Sequence, residues 1–153
     1  MPRYDAALLP RHLDAIRAGL EAAVLRPTAV YASTRIAGRA VGQFMRDDKG
    51  GGPRSPTDTG PLRILTGRAA RSLTGGGGSQ DAVNEVRIDG GVLTLTKGSR
   101  APGIVHNERR RAKSGASLAT LTPATEAELP GIEAFAAKKL GALIARALGG
   151  GAE

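Results

Sequence analysis

Apolar residues recur at steps of three and four near the start of the chain: Leu9, Leu13, Ile16, Leu20 and Val24, with Arg11, Asp14, Arg17 and Glu21 between them. That spacing predicts an amphipathic helix. Arg26-Pro27 punctuates it, because the residue before a proline is pushed out of the α region. A second helix, started by Pro27 or Thr28, is expected to about Arg46, with Val30, Ala37, Val41 and Phe44 as its apolar positions and Ile36, Ala40 and Met45 widening the face. Residues 62–65 read as a short extended piece. Thr66 then caps a brief helix through Leu73, with Ala69, Ala70 and Leu73 inward.

The period then shortens to two. Residues 83–88 and 92–97 alternate around Asp89-Gly90-Gly91, which predicts a β-hairpin with sound turn chemistry. Residues 103–107 read as a short strand or a helical turn, and 118–121 as another short strand. Thr122-Pro123 opens a closing helix, the threonine as cap and the proline in the first turn, where its missing N–H costs nothing. Leu129, Ile132, Ala136, Leu140, Leu143 and Ala147 form its apolar face, Pro130 splits or kinks it, and the glycines at 149–151 end it. The expected architecture is α+β: two N-terminal helices, a small antiparallel sheet with a short inserted helix, and a long C-terminal helix packed on the sheet. It forms a single domain over 1–153, with flexible loops at 47–61, 75–81 and 108–117.

Composition narrows the function classes. At 153 residues and 41% hydrophobic content the chain supports one core. No apolar run approaches the roughly 20 residues of a membrane-spanning helix and no signal pattern opens the chain, so a soluble, unprocessed protein is expected, with no membrane partner. The absence of cysteine excludes disulfides and thiolate metal sites. His12 and His106 are too far apart in sequence to suggest a metal site, and two Tyr with two Phe make a poor platform for stacking bases.

Charge points elsewhere. Lys and Arg number 22 against 14 Asp and Glu, a net +8, and residues 122–153 alone are net acidic at −1. Such a balance favours nucleic acid or acidic protein partners. Arg35, Arg39 and Arg46 recur along the polar side of the second helix, the wet face of an amphipathic helix or a stripe that touches phosphates or acidic side chains. Arg109, Arg110 and Arg111 with Lys113 make a compact cationic loop. No helix-turn-helix spacing or RNA-binding aromatic motif accompanies them, so any DNA contact is expected to be non-specific.

Catalytic readings find little support. His106 and Glu108 fall two apart, a spacing typical of a surface hydrogen bond. Glu126 and Glu128 sit near a helix start, where carboxylates favour the positive end of the helix dipole. The glycines at 75–78 lack the Gly-Lys-Ser/Thr of a phosphate loop. The expectation is no enzyme, no cofactor and no metal.

Three segments together resemble the small neck and tail-completion proteins of long-tailed bacteriophages and related prophage particles. They are Leu62-Arg63-Ile64-Leu65-Thr66-Gly67-Arg68-Ala69-Ala70-Arg71-Ser72-Leu73, Gly103-Ile104-Val105-His106-Asn107-Glu108 and Leu121-Thr122-Pro123-Ala124-Thr125-Glu126. The resemblance implies a virion protein, assembled in the host cytoplasm, that forms part of a ring between head connector and tail tube. Thr66, Gly67, His106, Pro123 and Ala124 then hold the fold. Arg68 and Arg71, on the outer side of the short helix, become candidates for contact between subunits, and Arg35, Arg39 and the basic loop for contact with neighbours or packaged DNA. A small basic DNA-binding protein unrelated to virions is the alternative.

Overall fold

The computed structural model describes residues 6–45, 67–75, 79–101, 104–105 and 121–149. After a short 3-10 turn at Ala6–Leu8, helix α1 spans Leu9–Leu20 and α2 spans Arg26–Met45. The expected break at Arg26-Pro27 is absent: Glu21–Leu25 form a π-helical turn that joins α1 to α2 without interruption, and the Arg26 N–H donates to the Glu21 carbonyl. Proline removes one donor and crowds the preceding turn, and a wider turn accommodates both effects while the chain stays helical. Glu21 and Arg26 also pair across this turn, the guanidinium donating from Nε (3.0 Å) and Nη2 (2.5 Å) to Oε1.

Helix α3 covers Gly67–Thr74, within the expected range. The Gly75 N–H closes its last turn on the Arg71 carbonyl at 2.9 Å. Strands β1 (Ala82–Asp89) and β2 (Val92–Ser99) pair antiparallel from Ala82↔Ser99 to Asp89↔Val92, each slightly longer than expected. Gly90 and Gly91 make the turn with φ of 55° and 82°, a left-handed pair that other residues adopt only at a cost. Residues 104–105 resolve as a helical turn rather than a strand, with the Ile104 and Val105 N–H groups both donating to the Ala101 carbonyl.

Helix α4 runs unbroken over Leu121–Gly149. Leu121, placed in a short strand by sequence, is its first residue. Pro130 neither splits nor ends it. Pro130 and Glu126, whose carbonyl it leaves without a donor, are both exposed, which leaves that carbonyl within reach of water. Residues 62–65, Thr66, His106, 118–120 and the loops 47–61 and 108–117 lie outside the described residues, as does 76–78 of the third loop. Ser79 accepts from the Ala82 N–H at 3.1 Å through its carbonyl, which shapes the rest of that loop as a turn.

The α+β class holds, but the helices pack differently from expectation. Helix α4 lies antiparallel along the joined α1–α2 helix rather than over the sheet. His12 meets Ala147, Gly19 meets Leu143, Tyr31 meets Phe135 and Arg35 meets Glu128. At the tight point, a Cβ on Gly19 would fall 2.6 Å from Leu143 Cδ1. The hairpin instead packs on α3 and α2. Its two strands need that support, since an isolated hairpin is marginal.

The core sits where these elements meet. Ile36, Ala40, Leu73, Ala101, Ile104 and Ala124 form it, flanked by Val41, Leu95, Leu121 and Ile132. On α2 the buried line is Ala29, Ala32, Ile36, Ala37 and Ala40, whereas Val30, expected inward, is 67% exposed. At the far end of the pair Leu9 and Leu13 on α1, and Leu140 on α4, stay substantially exposed although they fall on the expected apolar faces; Leu129, nearer the start of α4, does the same. Two helices cover only one side of each other.

Leu73 is fully buried in a core built largely of alanines. Leu73→Ala is expected to lower unfolding stability by about 2–5 kcal/mol, since small neighbours collapse poorly into the void. Chemical denaturation of the two chains measures it.

Candidate functional site

The chemistry-bearing side chains gather into charged clusters that join distant parts of the chain. Glu128 lies one turn after Ala124 and one before Ile132, on the face of α4 turned toward α2, and is 5% exposed. Its Oε2 accepts from Arg35 Nε at 2.8 Å and its Oε1 from Arg39 Nη1 at 3.1 Å. The two arginine side chains remain 54% and 49% exposed. One desolvated carboxylate therefore holds two half-wet guanidiniums, and the hydrogen bond from Arg35 together with the charge of Glu128 raises the arginine's already high pKa. Two turns along α4, Phe135 stacks on Tyr31 with ring centroids 4.2 Å apart and planes within 3°. The Lys139 ammonium sits 5.4 Å from the Phe135 centroid, within cation–π range.

A second cluster ties α3 to the start of β1. Arg68 donates from Nε (2.5 Å) and Nη2 (3.1 Å) to the two oxygens of Asp81, a bidentate fork. The hydrogen bond from Arg68 holds the Asp81 carboxyl below its usual range, against the opposing effect of burial. Beside it the Arg100 N–H donates to the Asp81 carbonyl at 2.6 Å, and the Ser72 and Ser99 hydroxyls share a 2.6 Å hydrogen bond. On the hairpin, Lys97 donates to Ser33 Oγ at 3.0 Å and Ser33 in turn to Asn84 Oδ1 at 3.1 Å. Burial lowers the Lys97 pKa.

A cavity of about 470 Å³ opens between the end of β2, the 104–105 turn and the first turns of α4, lined among others by Lys97, Ser99, Ile104, Leu121, Thr125 and Glu126. Three of its polar side chains are engaged in the fold: Lys97 on Ser33, Ser99 with Ser72, and Thr125 Oγ1 donating to the Leu121 carbonyl at 2.8 Å. Among the described residues no group of three or more His, Asp or Glu converges.

The structure thus gives several of the singled-out residues partners within the chain. Arg35 and Arg39 come together on Glu128, and Arg68 meets Asp81, so each has a folding role that sequence reading did not assign. Arg71 is exposed on the outer side of α3. Gly67 is the first residue of α3, and Pro123 and Ala124 lie in the first turn of α4, Ala124 fully buried. Thr66, His106, Arg109, Arg110, Arg111 and Lys113 lie outside the described residues. Glu128 is more than a dipole-favouring carboxylate near a helix start. Its place on the apolar line 124–128–132 was the available signal, because an acid on a buried face requires a partner.

Two outcomes follow. Replacing Arg35 and Arg39 together by Ala strands a buried carboxylate and should lower the denaturant midpoint clearly. Glu128→Leu removes the buried charge and should cost clearly less, and denaturant midpoints separate the two. Asp81, with its pKa depressed in the folded state, contributes stability above its unfolded pKa of about 3.9 that is lost as pH falls through the lower folded value. Asp81→Asn should flatten the melting-temperature profile across that acid limb. Compared with family models, curated proteins and solved structures, the chain matches none.

Proposed function

We propose that this chain is a structural protein of the neck or tail end of a phage-like particle, a subunit of a ring joining head connector to tail tube. It acts by assembly, not turnover. The observation that carries the reading is the convergence of the three family-like segments. Leu73 from the first, Ile104 from the second and Ala124 from the third pack into one core with Ile36 and Ala40. Each segment alone is a weak signature, and their meeting as one folded unit supports taking them together.

A closed ring is a head-to-tail contact that needs two unlike, complementary patches on each subunit. The outer side of α3 with exposed Arg71 offers a basic patch. The far end of the helix pair, with Leu140 37%, Ile144 36% and Leu148 44% exposed, offers an apolar one. On this reading the loops at 47–61 and 108–117 meet neighbours in the ring.

Deleting the gene in the strain that produces the particle, followed by electron microscopy of the lysate, tests the assignment. The expected result is filled heads beside separate tails, or tails of abnormal length. Normally joined particles would overturn it.

A further inference from the structure

One side of the pair that α4 forms with the joined α1–α2 helix carries a row of cations, with α2 beside its first part and α1 beside Arg146. Tyr31, Arg35 and Arg39 recur every four residues along α2, a helix with no acidic residue. On α4, Glu128, Phe135, Lys139 and Arg146 recur at steps of seven, four and seven, which keeps them within about 40° of one another around the axis. Interactions across the pair align the two sets: Arg35 and Arg39 on Glu128, and Tyr31 on Phe135 beneath Lys139. Lys138 borders the row. The other acids of α4, Glu126 and Glu133, lie roughly 120–140° around the helix from Lys139, and the one acid in the row is buried beneath its two arginines.

The row is positioned in advance. The Glu128 carboxylate fixes both guanidiniums while about half of each side chain stays in water, leaving outward N–H groups to bind. Lys139 is held over an aromatic ring. Cations ordered before a ligand arrives lose less entropy on binding it. From the level of Glu128 to Arg146 the row is about 27 Å long, roughly eight base pairs of duplex.

Its chemistry selects the partner. The large apolar side chains exposed at this end of α4, Leu140, Ile144 and Leu148, lie about 100° or more around the helix from Lys139. The two aromatic residues of the row, Tyr31 and Phe135, are half-buried and stacked on each other with Lys139 over the Phe135 ring, so the row presents mainly cations rather than the apolar core of a protein interface or the apolar face of a membrane-surface helix. A phosphate backbone needs neither. We infer that this row is a sequence-independent docking face for the phosphates of duplex DNA. The face is read from the chain's own geometry and goes beyond the assembly reading.

The test titrates the full chain with a labelled duplex of arbitrary sequence between about 50 and 200 mM salt. Substituting Lys138, Lys139 and Arg146 with Gln leaves the Glu128 clamp intact. It should weaken binding about tenfold or more at the low-salt end and flatten the log–log salt slope by about 0.9 for every phosphate no longer neutralised. A control with Arg17, Arg26 and Arg87 changed to Gln removes equal charge away from the row and should retain the slope. The conservative pair Lys139→Arg and Arg146→Lys should also retain it, which separates weakened phosphate binding from a damaged fold. Equal weakening by the row and control variants, no weakening by the row variant, or preference for polyglutamate over duplex would each overturn the assignment. The comparison of row and control variants isolates this face within a chain that has no particle to assemble into, so failure here is distinguishable from normal particle joining after gene deletion, which would refute the ring.

Discussion

A carboxylate taken out of water between two helices constrains everything packed around it. Burying Glu128 alone would cost several kcal/mol. Arg35 and Arg39 offset that cost because they reach it from consecutive turns of α2, one on each oxygen. Sliding α4 by one turn along α2 would leave the acid stranded, so the pair fixes register as well as contact. Register then brings Tyr31 against Phe135, Gly19 against Leu143, and Ala124 into the core beside Ala40. A uniformly apolar seam of alanines would specify that alignment far less sharply.

Small residues let the elements approach closely. The core contains three alanines beside Ile36, Leu73 and Ile104, and among the described residues Leu73, Ile104 and Ser72 are the largest side chains removed almost fully from solvent. Such a core is narrow, and fitting it requires α3, the 104–105 turn and the start of α4 to converge on one stretch of α2. The π-turn at Glu21–Leu25 serves the same geometry: it keeps the chain helical from α1 into α2 past Pro27, so that α4 packs along both. The hairpin is then carried on α2 and α3, tied down by the Lys97–Ser33–Asn84 chain and the Ser72–Ser99 pair.

The same packing sorts the surface. Helix α4 carries its acids, Glu126, Glu128 and Glu133, before its bases, Lys138, Lys139 and Arg146, an order that complements the helix dipole. The slight net acidity of the last 32 residues therefore hides a basic half. With Glu128 engaged inside the fold, the cations of α2 and α4 stand together on one side. On the proposed assignment, this arrangement lets one small domain meet a neighbour through one surface and DNA through another.

Much of the secondary structure was legible because it rests on local physics. Period two around an Asp-Gly-Gly turn identifies the hairpin, and apolar periodicity locates α1, α2, α3 and α4. Proline misled at Pro27, since the penalty read from sequence assumes no wider turn, whereas Pro130 does not split its helix. Which side of each helix is buried was less legible: Val30 and Leu129 fall at apolar steps yet face outward, because burial depends on where the partner helix lies. The clamp was the least legible feature. Arg35 and Glu128 stand 93 residues apart, and no local pattern names an ion pair across that distance. By itself the sequence determined most of the elements and the net charge. Tertiary structure alone decided which arginines serve the fold, how α4 aligns on α2 and where the cations line up, because each depends on interactions between residues that only folding brings together.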